Sequence, residues 1–121
     1  AKTAVEAVTG PEAVTGSTRM KAGTAQKMIL NMISTSVMIK MGKVYQNLMV
    51  DVMQTNEKLH VRGENIVMEA TGVDRETAKN TISLVIGSAK TAMTFTLANC
   101  DVAEVLGGLE QARGHIRQAI M

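Results

Sequence analysis

The feature that most constrains this chain is a connector, residues 10–27, that runs without a break into a long apolar helical pattern. The connector holds three glycines, the only proline, four hydroxyl side chains and three cations. Backbone N–H groups at a helix start are unpaired and carry the positive end of the helix dipole, and glycines let a ligand approach the backbone. The pattern predicts an anion-binding loop. An ordinary capped turn before a helix is the alternative.

The residues on either side of the connector predict one strand and one long helix. Residues 3–8 are a short strand candidate, which needs a neighbouring strand to be stable. Ser17 or Thr18 is a good helix N-cap, and Thr24 is a second possible start. From there to about Met41 the apolar stripe is wide, which suits a helix buried under a sheet or in a subunit interface. Gly42 is predicted to end the helix.

The rest of the chain predicts a series of short helices. Residues 44–52 are extended, either as a strand or as a loop. Asp101 and Glu104 have the spacing of a capping box. Residues 89–99 are predicted as helix, although their threonines also fit a strand pattern. The predicted helices cover residues 54–71 with Gly72 as the stop, 74–86, 89–99 and 101–112, with a last turn around Ile116 and Ile120.

Composition excludes several classes of function. Cys100 is the only cysteine, so an intrachain disulfide and a thiolate metal site are excluded, and two histidines far apart do not predict a metal site. A net charge of +2 from scattered cations does not predict nucleic-acid binding. The most apolar stretch, residues 28–41, is shorter than the roughly 20 residues of a membrane span. We expect a soluble, cytoplasmic protein that uses no metal or cofactor.

Catalysis requires a placed acid, base or nucleophile with a partner, and the sequence supplies none within evident reach. Glu12 in the loop and Asp51 in the middle segment are isolated carboxylates. The loop instead offers Ser17, Thr18, Arg19 and Lys21 as an anion cradle, in which Arg19 would contact phosphate in a bidentate manner and Lys21 as a point charge. The residues thus predict a binding site without a catalytic group.

At these residues the chain resembles a known family. The segments Gly10-Pro11-Glu12 and Thr15-Gly16-Ser17-Thr18-Arg19-Met20-Lys21-Ala22-Gly23-Thr24-Ala25-Gln26-Lys27 are similar to the signature of N-acetylmuramic acid 6-phosphate etherases and the related glucokinase regulatory proteins. The likeness continues through residues 30–35, 42–45, 47–52, 55–59 and 66–72, and then becomes looser. At Gln46 the family more often has glycine.

This resemblance implies a fold and an activity. The etherases are homodimeric lyases with a sugar isomerase (SIS) α/β domain followed by a small helical domain similar to ubiquitin-associated (UBA) bundles. They cleave the D-lactyl ether of N-acetylmuramic acid 6-phosphate to N-acetylglucosamine 6-phosphate and D-lactate in bacterial cell-wall recycling. Two glutamates act as acid and base, without a metal. The resemblance also implies that Glu12 and the four cradle residues bind the sugar phosphate.

The resemblance covers only the C-terminal part of the family. We therefore predict a mainly α chain: residues 1–55 as the C-terminal part of an SIS domain, with the signature loop at 10–27, and residues 56–121 as a UBA-like helical bundle. Both acid/base glutamates belong to an earlier part of the SIS domain. We accordingly assign no catalytic residue, read the N-terminus as a cut through a larger domain, and expect the piece alone to be inactive.

The residues leave two other functional interpretations open. One is a non-catalytic phosphosugar-binding module of the glucokinase-regulator kind. The other is a dimerisation element with the loop as its cap. The residue types at positions 22–26 favour the bacterial enzyme. We expect the partners to be a sugar phosphate and a second copy of the chain, with no nucleic acid and no membrane.

Overall fold

The computed structural model describes residues 2–121 and is mainly helical, as predicted. Within that range it forms six helices and one two-stranded sheet. In chain order the elements are α1 (Ala22–Lys40), β1 (Val44–Tyr45), β2 (Leu48–Met49), α2 (Glu57–Thr71), α3 (Arg75–Leu84), α4 (Ala89–Ala98), α5 (Val102–Gln111) and α6 (Ile116–Ala119). The assignment of these elements to an SIS domain and a UBA-like bundle stays a prediction.

The chain divides into two compact units, and each is described by itself. The first ends at Val37 and the second is Met38–Met121. The division falls inside α1, whereas the predicted domain boundary lies between residues 55 and 56, and that boundary stays a prediction.

The first unit contains the connector and most of α1. The strand predicted for residues 3–8 is wrong: residues 2–10 have no regular secondary structure, and Val8 is 98% exposed. An extended segment becomes a strand only when a neighbouring strand accepts and donates its backbone hydrogen bonds, and the sheet within residues 2–121 pairs only β1 with β2. The long helix is confirmed, and it begins at Ala22, between the two predicted starts.

Gly42 ends the long helix, as predicted. Its φ of 67° is left-handed, and the Lys43 N–H donates to the Met38 carbonyl at 3.1 Å. A Cβ at Gly42 would lie 2.6 Å from the backbone of Gly114, so this position also lacks room for a side chain. The His115 ring contacts the Lys40 carbonyl through Nε2 at 3.1 Å. These contacts hold the segment before β1 against the segment before α6.

The segment 44–52 resolves into a tight hairpin followed by irregular chain. β1 and β2 are antiparallel, with Val44 opposite Met49 and Tyr45 opposite Leu48. The turn between them places Gln46 at a φ of 54°. Two-residue hairpin turns require positive φ, which glycine adopts without a steric penalty. The turn therefore accounts for the glycine that the resembled family more often has here.

Side-chain caps start four helices of the second unit, α2 to α5, and the capping box among them is predicted by the sequence. Asn56 accepts a hydrogen bond from the Leu59 N–H, and Asp74 from the Thr77 N–H. The capping box of Asp101 and Glu104 is present. Ser88 caps α4, so residues 89–98 are helical and the competing strand pattern is not realised. Gly72 ends α2 in a left-handed conformation.

Helix α4 is the centre of the second unit, since it contacts α2, α3, α5 and α6. Five of its ten residues are buried, most of them small, which lets the neighbouring helices approach closely. The fully buried Thr94 hydroxyl donates to the Lys90 carbonyl at 2.9 Å, which avoids the cost of an unpaired buried polar group. The buried apolar core consists of Val50, Ile66, Val67, Ala78, Ile82, Val85, Ala89, Ala92, Met93, Val105, Leu109 and Ile116.

Within 2–121, no single helix has both the length and the hydropathy of a membrane span. Helices α3 and α4 together satisfy length and composition, but they are bent by 107° at their junction.

Candidate functional site

The loop before α1 is organised by the Glu12 carboxylate. The backbone N–H of Lys21 donates to both Glu12 oxygens, at 3.2 Å to Oε1 and 3.0 Å to Oε2, and the Ala22 N–H donates to Oε1 at 3.1 Å. A helix start attracts negative charge because its first N–H groups have no intrahelical acceptor. The sequence predicts that an anion lies here, and in the structure a carboxylate of the chain itself takes that position.

This arrangement corrects the predicted N-caps of α1. Within the described residues, the Ser17 Oγ accepts only from the Arg19 N–H, at 3.4 Å, before the helix begins. The Thr18 carbonyl accepts from the Gly23 N–H at 2.8 Å. Neither hydroxyl reaches the first turn, because the residues between them and Ala22 form a turn of their own. Glu12 replaces them from about ten positions earlier in the chain.

Lys21 closes the other side of the loop. Its Nζ donates to the Pro11 carbonyl at 2.7 Å, next to the carboxylate that its own backbone N–H contacts. Lys21 and residues 11–12 thus hold each other through one side-chain donor and one backbone donor, and the Ala22 N–H adds a second backbone donor. The Lys21 ammonium, predicted to meet a phosphate, contributes to the shape of the loop in this structure.

Three residues of the cradle are exposed: Thr18, Arg19 and Lys21. Among the hydrogen bonds and ion pairs found within residues 2–121, the side chains of Thr18 and Arg19 take part in none, whereas that of Lys21 donates to Pro11. Ser17 is half-buried beside them. The structure therefore brings Glu12 and Lys21 into contact, with Ser17 bonded to the Arg19 backbone, and leaves the guanidinium and the Thr18 hydroxyl in solvent.

A second polar cluster lies in the second unit, around Asp51. Its carboxylate is 3.0 Å from the Lys43 Nζ and 3.3 Å from the Lys90 Nζ. Partial burial raises the pKa of Asp51, but the Lys43 hydrogen bond and the Lys90 charge outweigh burial, and the pKa is lowered from 3.8. This cluster joins the chain just after the hairpin to α4.

The Asp51 cluster borders an open cavity of about 490 Å³. Its polar lining includes Lys43, Asp51, Gln54, His60 and Ser88. In the sequence Asp51 stands as an isolated carboxylate, because its partners are 8 and 39 positions away in the chain. A signal was present, since Lys43 and Asp51 both lie in segments that match the resembled family. Across the residues described, no group of three His, Cys, Asp or Glu side chains could hold a metal ion.

Comparison with curated proteins confirms the family resemblance. The chain is 57% identical over 118 residues to an N-acetylmuramic acid 6-phosphate etherase of Oceanobacillus iheyensis, covering 98% of this chain and 40% of that protein. It is 55% identical over 116 residues to the etherase of an Exiguobacterium species, covering 96% of this chain and 40% of the relative. An Escherichia coli etherase is 53% identical over 120 residues, covering 99% of this chain and 40% of the relative.

The matches span almost all of this chain but only about 40% of the length of these relatives. The matched part of the relatives is C-terminal, as the sequence resemblance implies. No protein-family model matches the chain.

Proposed function

We propose that this chain, as a relative of the N-acetylmuramic acid 6-phosphate etherases, is the C-terminal part of a lyase that cleaves the D-lactyl ether of that phosphosugar. The products would be N-acetylglucosamine 6-phosphate and D-lactate, and the setting would be cell-wall recycling in the cytoplasm. The observation that carries the proposal is the identity of 57% over 98% of the chain to a relative of that name.

Within this lyase, the loop would form one wall of the phosphosugar pocket. Arg19 and Thr18 are exposed and available to an anion, with Ser17 beside them. Glu12 and Lys21 would act mainly by holding the loop, because each is engaged with backbone atoms of the other's segment. An Arg guanidinium suits phosphate because it offers two parallel N–H donors in one plane.

The chain alone would bind the phosphosugar without cleaving its D-lactyl ether. We assign no catalytic residue to it, since the two acid/base glutamates that the resemblance implies lie in an earlier part of the family's SIS domain. The active form would be a homodimer, with the apolar side of α1 contributing to its packing. The exposed large side chains Met28, Met32 and Ile33 support this proposal, because contiguous exposed apolar residues mark interaction surfaces.

A chimeric enzyme tests the proposal directly. This chain would replace the corresponding 40% of the E. coli relative, and D-lactate release from N-acetylmuramic acid 6-phosphate would be measured. We expect an active chimera, and no release by the 121-residue chain alone. A folded chimera that binds the phosphosugar without releasing D-lactate would contradict the lyase proposal and favour the non-catalytic regulatory alternative.

The same chimera tests the loop residues. Arg19→Ala should raise KM by about tenfold or more, because a charged hydrogen-bonding partner of the phosphate is lost. Arg19→Lys should restore part of the loss, since it retains the charge but not the paired donors. Lys79→Ala, which removes an exposed lysine from α3, is the matched control and should leave KM unchanged. Equal effects of Arg19→Ala and Lys79→Ala would remove Arg19 from the proposed pocket.

A further inference from the structure

The open cavity of about 490 Å³ in the second unit borders a group of charged side chains with an excess of positive charge. Asp51 is the one carboxylate among its lining residues in the described part of the chain. Lys43 and Lys90 both pair with it. Two ammonium groups and one carboxylate leave one positive charge beside a cavity whose volume is typical of a small-ligand site.

The ion pairs use only part of the donor capacity of the two lysines. The Lys43 Nζ lies 3.0 Å from Oδ2 of Asp51, and the Lys90 Nζ lies 3.3 Å from Oδ1. An ammonium group has three N–H donors, and neither lysine makes a second ion pair within residues 2–121. Lys43 lines the cavity, so its remaining donors are available there. Lys90 has a side chain that is only 12% exposed, and it contributes mainly through its charge.

Ser88 adds an uncharged donor to the lining of the same cavity. It is the N-cap of α4, and its Oγ accepts from the backbone N–H of Thr91 at 3.1 Å and from the Thr91 hydroxyl at 2.9 Å. A hydroxyl group has two lone pairs and one hydrogen. Because Thr91 uses both lone pairs, Ser88 can interact with a ligand only by donating its hydrogen.

Hydrogen-bond donors are therefore in excess where Lys43 and Ser88 meet the cavity. The carboxylate acceptor of Asp51 is already shared between two cations. A ligand that brings negative charge and oxygen acceptors would complete this arrangement, because hydrogen bonds between charged partners are about twice as strong as neutral ones.

We propose that the cavity binds a small oxyanion, a carboxylate or phosphate group, through the Lys43 ammonium and the Ser88 hydroxyl. Lys90 supports the site by balancing the charge of Asp51. Asp51 limits the affinity, because its charge repels the ligand and its oxygens compete for the Lys43 donors. The inference is independent of the lyase proposal, since it rests on contacts within the second unit alone.

NMR titration of the chain tests the site. Sodium phosphate and sodium acetate would be added separately at constant pH and ionic strength, and the backbone amide signals of residues 43 and 88–90 followed. We expect saturable shifts with at least one of the two anions, which also shows whether phosphate, carboxylate or both are bound. Sodium chloride is the control and should give no saturable shift. Absence of saturation with both oxyanions in the millimolar range would overturn the proposal.

Two substitutions in the cluster should change the affinity in opposite directions. Lys43→Gln should weaken binding by about tenfold, because a charged donor is lost. Asp51→Asn should strengthen binding by about threefold or more, since it keeps the shape of the side chain and removes a nearby negative charge. Lys79→Gln removes the same charge as Lys43→Gln from an exposed side chain of α3. This matched control should change the affinity by less than about twofold.

Ser88→Gly tests the hydroxyl in a variant that should remain folded, because glycine replaces serine at an N-cap with little loss of stability. Binding should weaken by about threefold or more. Dispersed amide spectra confirm folding of each variant. Weaker binding by folded Asp51→Asn would overturn the proposal, as would equal effects of Lys43→Gln and Lys79→Gln, because only overall charge would then matter. Unchanged affinity in Ser88→Gly would also contradict the assigned contacts.

Discussion

Helices α1 and α4 show two ways in which an apolar helix can exist in one chain. Helix α4 has ten residues, five of them buried, and four other helices contact it. Helix α1 has 19 residues, and none of its side chains, all within the described range, is buried. Met28 and Met32 in α1 are each 57% exposed, whereas Met93 in α4 is 0% exposed. Similar residue types therefore stabilise the fold in one helix and form surface in the other.

The difference lies in how each helix is held. The second unit closes its own core, so its stability should come from burial of apolar area. Within residues 2–37 no side chain is buried, so the order of the first unit depends on local contacts, of which the Glu12 cap is the most developed. The exposed apolar side chains of α1 are therefore suited to packing against another polypeptide.

The largest predicted effect compares methionines in the two helices. Met93→Ala should lower the free energy of unfolding of the second unit by about 2–5 kcal/mol, because it leaves a cavity in a closed core. Met32→Ala should change it by less than about 0.5 kcal/mol, since the side chain is already in solvent. Urea unfolding followed by circular dichroism measures both. Equal destabilisation by the two variants would contradict the contrast between the helices.

The next effect compares helix caps. Glu12→Ala should destabilise the start of α1 by about 1 kcal/mol, because two backbone donors lose their acceptor. Asp101→Ala should cost a similar amount, about 1 kcal/mol, at the start of α5. The consequences should differ, since loss of Glu12 also frees the loop at residues 11–21. Amide exchange rates at Lys21 and Ala22 report the first change. Unchanged exchange there in Glu12→Ala would show that the cap does not order the first unit.

The smallest effect concerns pH and the second unit. The pKa of Asp51 is lowered from 3.8 because the Lys43 hydrogen bond and the Lys90 charge outweigh the opposing effect of burial. The ion pairs therefore stabilise the fold above pH 3.8, and this stabilisation is lost as pH falls through the lower folded-state pKa. Because the carboxylate is partly exposed, we expect less than about 1 kcal/mol.

Asp51→Asn isolates this contribution from that of Asp74. The pKa of Asp74 is also lowered, by hydrogen bonds from Thr77, so both groups lose stabilising interactions in the same pH range. The difference in unfolding free energy between the unaltered chain and Asp51→Asn should shrink as the pH falls below 3.8. A difference that stays constant across this range would show that the Asp51 charge does not contribute.

The sequence predicts the second unit well because its signals are local. Asn56, Asp74, Ser88 and Asp101 each accept from a backbone N–H three positions later, so one short window holds the whole interaction. The family resemblance can be recognised in the sequence because it is also local: it rests on a continuous match from Thr15 to Lys27. The existence of these helices and the family resemblance therefore follow from the sequence alone.

What the sequence does not predict depends on contacts between distant positions. The Glu12 cap joins residues ten positions apart, whereas the local sequence favours Ser17 and Thr18 as caps. The Asp51–Lys90 pair, 39 positions apart in the chain, requires the fold before it can be recognised. The strand predicted for residues 3–8 has the right composition, but strand formation requires a partner that composition does not reveal.

The central claim is that α1 of the first unit exposes an apolar surface that binds another polypeptide, whereas the second unit buries its own apolar core. Sedimentation velocity of the chain over a concentration series tests this claim most directly. We predict concentration-dependent association, because the apolar side of α1 is exposed. Replacement of Met28, Met32 and Ile33 by glutamine should abolish association and leave the unfolding free energy of the second unit unchanged. A chain that is monomeric at every concentration, or a triple variant that associates as strongly as the unaltered chain, would contradict the account.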